Sequence, residues 1–137
     1  MKIRAFTLLT ALLFSVASVS CVKKHEHVKP KLAFQTGPAV FMQLGGVIST
    51  FTVLFEGLGS EPIEEYGIVY TFSEDVKDNY PDLDDTKVVF DLPAQLNSNQ
   101  KVVNIGFPAG VHALGYRAYV KIKGGHVTFA PPIITYF

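Results

Sequence analysis

From Pro38 to Phe137, apolar and polar side chains alternate with a period of two, broken at short intervals by Gly, Pro and Asn. That period puts neighbouring side chains on opposite faces, as in half-buried strands. It predicts strands over residues 39–44, closed by Gly45-Gly46, and over residues 47–56. In the second, Val47, Phe51, Val53 and Phe55 share one face and Thr50, Thr52 and Glu56 the other. Gly57, Gly59, Ser60 and Pro62 then break the chain. Residues 65–72 set Tyr66, Ile68, Tyr70 and Phe72 against Gly67, Val69 and Thr71. Residues 87–92 turn Val88, Phe90 and Leu92 inward and stop at Pro93, and Asn97-Ser98-Asn99 reads as a turn. Residues 101–107 carry Val103, Ile105 and Phe107 on an apolar face. Residues 115–123 set Tyr116, Ala118, Val120 and Ile122 against Arg117, Tyr119, Lys121 and Lys123. Gly124-Gly125 predicts a hairpin turn. Residues 126–129 and 133–137 complete the series as one strand, which Pro131-Pro132 confines to a sheet edge or to a switch between sheets.

About seven short strands spaced roughly 8 to 12 residues apart predict an all-β, antiparallel β-sandwich, with a small closed barrel as the alternative architecture. Nothing after Cys21 has a helical period. The chain is rich in Phe (11) and Tyr (6) and lacks Trp, a composition that suits pleated, half-covered surfaces. Twelve Lys and Arg balance twelve Asp and Glu, and losing Lys2 and Arg4 with a leader would leave two net negative charges. Neither balance offers the basic face that nucleic acid requires, so no nucleic-acid partner is expected.

Candidate chemistry is sparse. Residues 73–86 (SEDVKDNYPDLDDT) hold Asp75, Asp78, Asp82, Asp84 and Asp85, dense enough to suggest calcium, which takes six to eight oxygen ligands. They lack the central Gly and terminal Glu of the helix-loop-helix calcium loop, and a solvated charged loop is the other reading. His25 and His27 form an H-x-H pair on a polar spacer without further ligands at metal-site spacing. His112 and His126 fall in loops at opposite ends of one strand. There is no G-x-S-x-G, H-E-x-x-H or phosphate-binding glycine motif. Neither catalysis nor a cofactor or metal is expected.

The chain begins MKIRAFTLLTALLFSVASVSC: two cations, an uncharged apolar run over residues 5–17, then small residues before the only cysteine. The run is shorter than the roughly 20 residues a membrane-spanning helix needs, and the layout is that of a secretory signal peptide. With Val19-Ser20 preceding Cys21, it resembles a bacterial lipoprotein signal. That resemblance implies cleavage before Cys21 and acylation of its sulfur (palmitate-class chains), anchoring the protein in a membrane, the outer one by preference because Val22 follows the cysteine. Whether the domain faces the periplasm or the exterior stays open. Residues 1–20 are thus the expected leader, 21–31 the lipidated Cys and a flexible tether, and 32–137 the domain.

Two stretches stand out together: Glu65-Tyr66-Gly67-Ile68-Val69-Tyr70 and Tyr116-Arg117-Ala118-Tyr119. The pairing resembles the fibronectin type III-like, immunoglobulin-like domains of many Bacteroidota lipoproteins, over residues 32–137. The resemblance implies that both are central strands (C and F) and neighbours in one sheet, with residues 126–137 as strand G. Such domains place a Tyr three residues before this Arg, where this chain has Leu114, so the corner entering strand F must be held differently. Arg117 and Tyr119 are the candidate partner-contact residues. The other reading of Arg117 is an outer-face side chain stacked on an aromatic neighbour and paired with Glu64 or Glu65; that of Tyr119 is sheet packing. Two functions follow. One is a non-catalytic binding or accessory module contacting a glycan, a peptide or an envelope protein. The other is a structural or assembly subunit that uses its C-terminal strand for edge pairing, and the oligomeric state is open.

Overall fold

The computed structural model describes residues 28–43, 47–72 and 80–137. His25, His27, Asp75, Asp78 and Cys21 lie outside them. The strands are β1 (Leu32–Thr36), β2 (Val40–Gln43), β3 (Val47–Leu58), β4 (Ile63–Phe72), β5 (Thr86–Val89), β6 (Asn97–Ile105), β7 (Ala113–Ile122), β8 (Val127–Phe129) and β9 (Ile133–Tyr136). The described residues contain no helix, and so none long and apolar enough to cross a membrane.

The strands form two separate antiparallel sheets, not a closed barrel. In the first, β3 pairs with β6 along one side and with β1 and then β2 along the other. In the second the order runs β5-β4-β7, with β8 and β9 both on the far side of β7. The residues with two-residue alternation make the core between the sheets. Phe51, Val53 and Phe55 from β3 meet Tyr66 and Ile68 from β4 and Leu114, Tyr116, Ala118 and Val120 from β7, all buried. Each large apolar side chain removed from water in this way contributes about 1.5–3 kcal/mol.

Both interrupted strands break where proline removes a donor. Gly37-Pro38 separates β1 from β2, and Pro131-Pro132 separates β8 from β9 at the sheet edge. The two breaks meet through Thr36. Its hydroxyl accepts from the Ala118 N–H at 2.9 Å and donates to the Pro131 carbonyl at 2.7 Å. A side chain of one sheet thereby fills the rung that the prolines leave empty in the other. Thr36→Val keeps the shape and removes both bonds, stranding a donor and an acceptor. It is expected to cost about 2 kcal/mol in urea unfolding with an unchanged m-value.

Several expectations differ from the observed fold. β1 precedes the first predicted strand, because its five residues show no clear alternation (burial is intermediate at four of them). Asn97–Asn99 open β6 instead of forming a turn; Asn97 holds φ 71°, which Asn tolerates, and the reversal is made by the preceding residues. Leu92 points to solvent instead of inward, because β5 stops at Val89 and the chain leaves the sheet after Phe90. On the expected outer face of β4 and β7, Val69 and Tyr119 are buried. The chain at 80–85 returns over that face and buries Pro81 against it.

Candidate functional site

Arg117 and Tyr119 lie on β7, opposite Val69 and Gly67 of β4. Arg117 is half-buried, its guanidinium carbon 4.0 Å from the Phe129 ring centre and 5.8 Å from that of Tyr80. Its Nε donates to the Pro81 carbonyl. Burial pulls its pKa below the usual arginine value, and the carboxylates of Asp82 and Asp85 oppose that pull. Arg117 is therefore the clasp of the 80–85 segment, and its partners are not Glu64 or Glu65. Glu65 instead accepts from the Tyr119 hydroxyl at 2.7 Å and lies 3.8 Å from Lys87. Tyr119 is 0 % exposed and presents no surface to a partner. Burial first, then the Glu65 hydrogen bond and charge, push its pKa well above the ordinary tyrosine value.

The described part of the acidic segment is spent on itself. Asp85 Oδ2 accepts from the Asp82 N–H at 2.8 Å, and Asp82 Oδ1 from the Asp84 N–H at 2.9 Å. Among the described residues no group of three or more His, Cys, Asp and Glu is placed to hold a metal. His112 precedes β7 and His126 follows it, so the ten-residue strand holds them roughly 30 Å apart.

The topology sorts the loops into two ends. At one end lie Val28 to Lys31 leading into β1, the β3–β4 turn, the β5–β6 loop and the β7–β8 turn. Here an open cleft of about 620 Å³ runs between the β3–β4 turn and the β5–β6 loop, lined by Leu58, Ser60, Glu61, Ile63, Leu92 and Pro93 among others. Its wall at 90–96 is firmly held. The Tyr66 hydroxyl donates to the Asp91 carbonyl at 2.9 Å, Lys101 Nζ reaches both Asp91 oxygens at 2.8 and 2.9 Å, and Asn99 bonds both backbone groups of Gln95.

At the other end an aromatic cluster closes the sandwich. Phe107 contacts Phe137 (ring centres 4.5 Å apart), Phe72 (5.0 Å) and Phe41 (6.3 Å), and Phe41 contacts Phe137 at 5.4 Å. All four contacts are edge-to-face, the geometry the ring quadrupole favours. This cluster holds the corner entering β7 that lacks a tyrosine, together with the Phe137 N–H donating to the His112 carbonyl at 2.9 Å. Behind it the Tyr116 hydroxyl accepts from the Ala39 N–H at 2.9 Å, tying the sheets together. Tyr136 is 67 % exposed and Phe137 52 %, so the cluster opens to solvent along β9.

Comparison with family models, curated proteins and solved structures finds no match to this chain.

The resemblance pointed to Arg117 and Tyr119, and the pattern of the sequence left the aromatic end unnoticed. A signal was present: Phe72 and Phe107 each close a predicted strand, and antiparallel order brings the closing residues of alternate strands to one end.

Proposed function

We propose that this protein is a cell-envelope lipoprotein, anchored by acylated Cys21 at the outer membrane, whose domain is a non-catalytic binding module for a glycan, a peptide or an envelope protein. The observation that carries the reading is the opposition of the two ends. Val28 to Lys31 lead into β1 at the cleft end, and the solvent-open aromatic group of Phe107, Tyr136 and Phe137 sits at the other. Strands of 10 to 12 residues separate the ends by about 35 Å, so a tethered domain carries its aromatic end away from the anchor. Exposed aromatic rings offer large contact area at low conformational cost, which suits sugar faces and apolar side chains alike.

Support for a fibronectin type III-like domain comes from the pairing. Taking each proline-interrupted pair as one strand gives three strands facing four, and the two stretches that carry the resemblance, in β4 and β7, are neighbours in one sheet. β9 offers only four residues beyond the Pro131-Pro132 break, a short edge for strand pairing, and recognition through the aromatic end is the reading advanced.

The test compares the lipidated protein with a Tyr136→Ser/Phe137→Ser variant in affinity capture from envelope extract and on a glycan array. The wild type is expected to retain a defined component that the folded variant binds at least about tenfold more weakly, a loss of about 1.4 kcal/mol. Equal retention by both, or none by the wild type, overturns it.

A further inference from the structure

The cleft end displays apolar side chains for which the fold has no use. Leu92 is 52 % and Leu96 54 % exposed, and both sit on the 90–96 loop. That loop is pinned on three sides by Tyr66, Asn99 and Lys101, so the leucines are held in water by structure and do not sample it by chance. Pro93 between them and Val28 before β1 are exposed as well. Exposed apolar groups gathered on a rigid loop mark an interaction surface.

The length of the chain identifies the occupant, on the lipoprotein reading above. Seven Cα–Cα steps separate Cys21 from Val28, which at full extension reach about 25 Å. The end bearing Leu92 and Leu96 is therefore always within a short tether of the bilayer that would hold Cys21, at high effective concentration. Charge does not oppose contact. Lys29, Lys31 and Lys123 are exposed at this end beside Glu56, Glu61 and Glu64, and the exposed Asp91 is paired with Lys101 at 2.8 Å, so cations and anions balance.

We propose that the cleft end docks on the lipid surface, with Leu92 and Leu96 seated at the boundary between headgroups and acyl chains. Two apolar side chains give reversible contact, and the anchor makes it persistent. Docking would stand the domain upright, with Phe107 and Phe137 directed away from the membrane.

The lipidated protein is reconstituted in phosphatidylethanolamine–phosphatidylglycerol vesicles carrying an acyl-chain spin-label quencher. A single cysteine is introduced at the exposed position Gln95→Cys or, at the far end, Ala109→Cys, and labelled with an environment-sensitive dye; Cys21 is blocked by its own thioether. The dye at 95 is expected to shift to the blue and to be quenched at least about twofold more than the dye at 109. That excess is expected to vanish in a Leu92→Ser/Leu96→Ser background whose circular dichroism is unchanged. Equal quenching at both positions, or an excess that survives in the double variant, overturns docking while leaving the anchor intact. The intact mass of the N-terminal peptide reports the anchor separately, and an unmodified Cys21 overturns both.

Discussion

Gly67→Ala is expected to lower the melting temperature by roughly 10–20 °C, the effect of about 3–5 kcal/mol in a domain of this size. A single methyl group at a strand position ordinarily stabilises, because alanine has less backbone freedom to lose than glycine. Gly67 reverses that sign through the close approach of β5. A Cβ built there would lie 2.0 Å from the Val88 carbonyl oxygen and 3.1 Å from the Val89 Cα, both backbone atoms that no rotamer change can move. β5 would have to shift as a body. Its pairing with residues 67–70 would loosen, and Val88 and Phe90 would leave the core they help to fill. Gly106→Ala is the control. It is exposed, a Cβ there meets nothing within 4 Å, and its melting temperature should match or slightly exceed that of the wild type. Differential scanning calorimetry of the pair decides the point, and equal melting temperatures would mean that β5 yields without cost. Gly67 is the glycine of the Glu65–Tyr70 stretch, so a residue first noticed as part of a resemblance has a steric reason to be glycine.

The second large effect is alkaline unfolding. Tyr66, Tyr116 and Tyr119 are buried, and burial is the leading cause that raises each above the ordinary tyrosine pKa. Asp91 adds to the rise at Tyr66, and the hydrogen bond and charge of Glu65 add to it at Tyr119. Below about pH 10 these phenols are neutral in both the folded and the unfolded chain, and stability is whole. As pH climbs past 10 the unfolded chain releases protons that the folded one retains, so stability falls with pH. Each group contributes up to about 1.4 kcal/mol per pH unit, and three together approach about 4. Urea titrations at pH 9, 10 and 11 should show the midpoint dropping steeply only above 10. Tyr119→Phe should flatten that slope, because it removes a titrating group along with its bond to Glu65. A midpoint that is flat through pH 11 would show that the phenols ionise within the folded state.

Arg117 shows how far local pattern carries. Alternation placed it correctly on the outer face of a central strand, yet its partners came from residues 35 to 36 positions earlier and 12 later in the chain. The Pro81 carbonyl, Asp82 and the Phe129 ring surround it, and none of them is implied by the order of side chains around position 117. Tyr119 makes the same point through burial. By period it faces outward with Lys121, but the two differ in what returns over them. Leu92 fails in the opposite sense: the apolar pattern runs on past Phe90 for one more period, while the strand ends at Val89.

What the amino-acid order settled by itself was the all-strand character of the described residues, the inner faces of β3, β4 and β7, and the break at Pro131-Pro132 that bars its strand from the middle of a continuous ladder. Those properties are local: a period of two and a missing N–H act within a few residues, whatever the rest of the chain does. Tertiary structure decided which outer faces are covered, which loops share an end, and that Phe41, Phe72, Phe107 and Phe137 meet. These depend on how two sheets stack and where distant segments return, and a side chain's burial is set by neighbours its own sequence window does not contain.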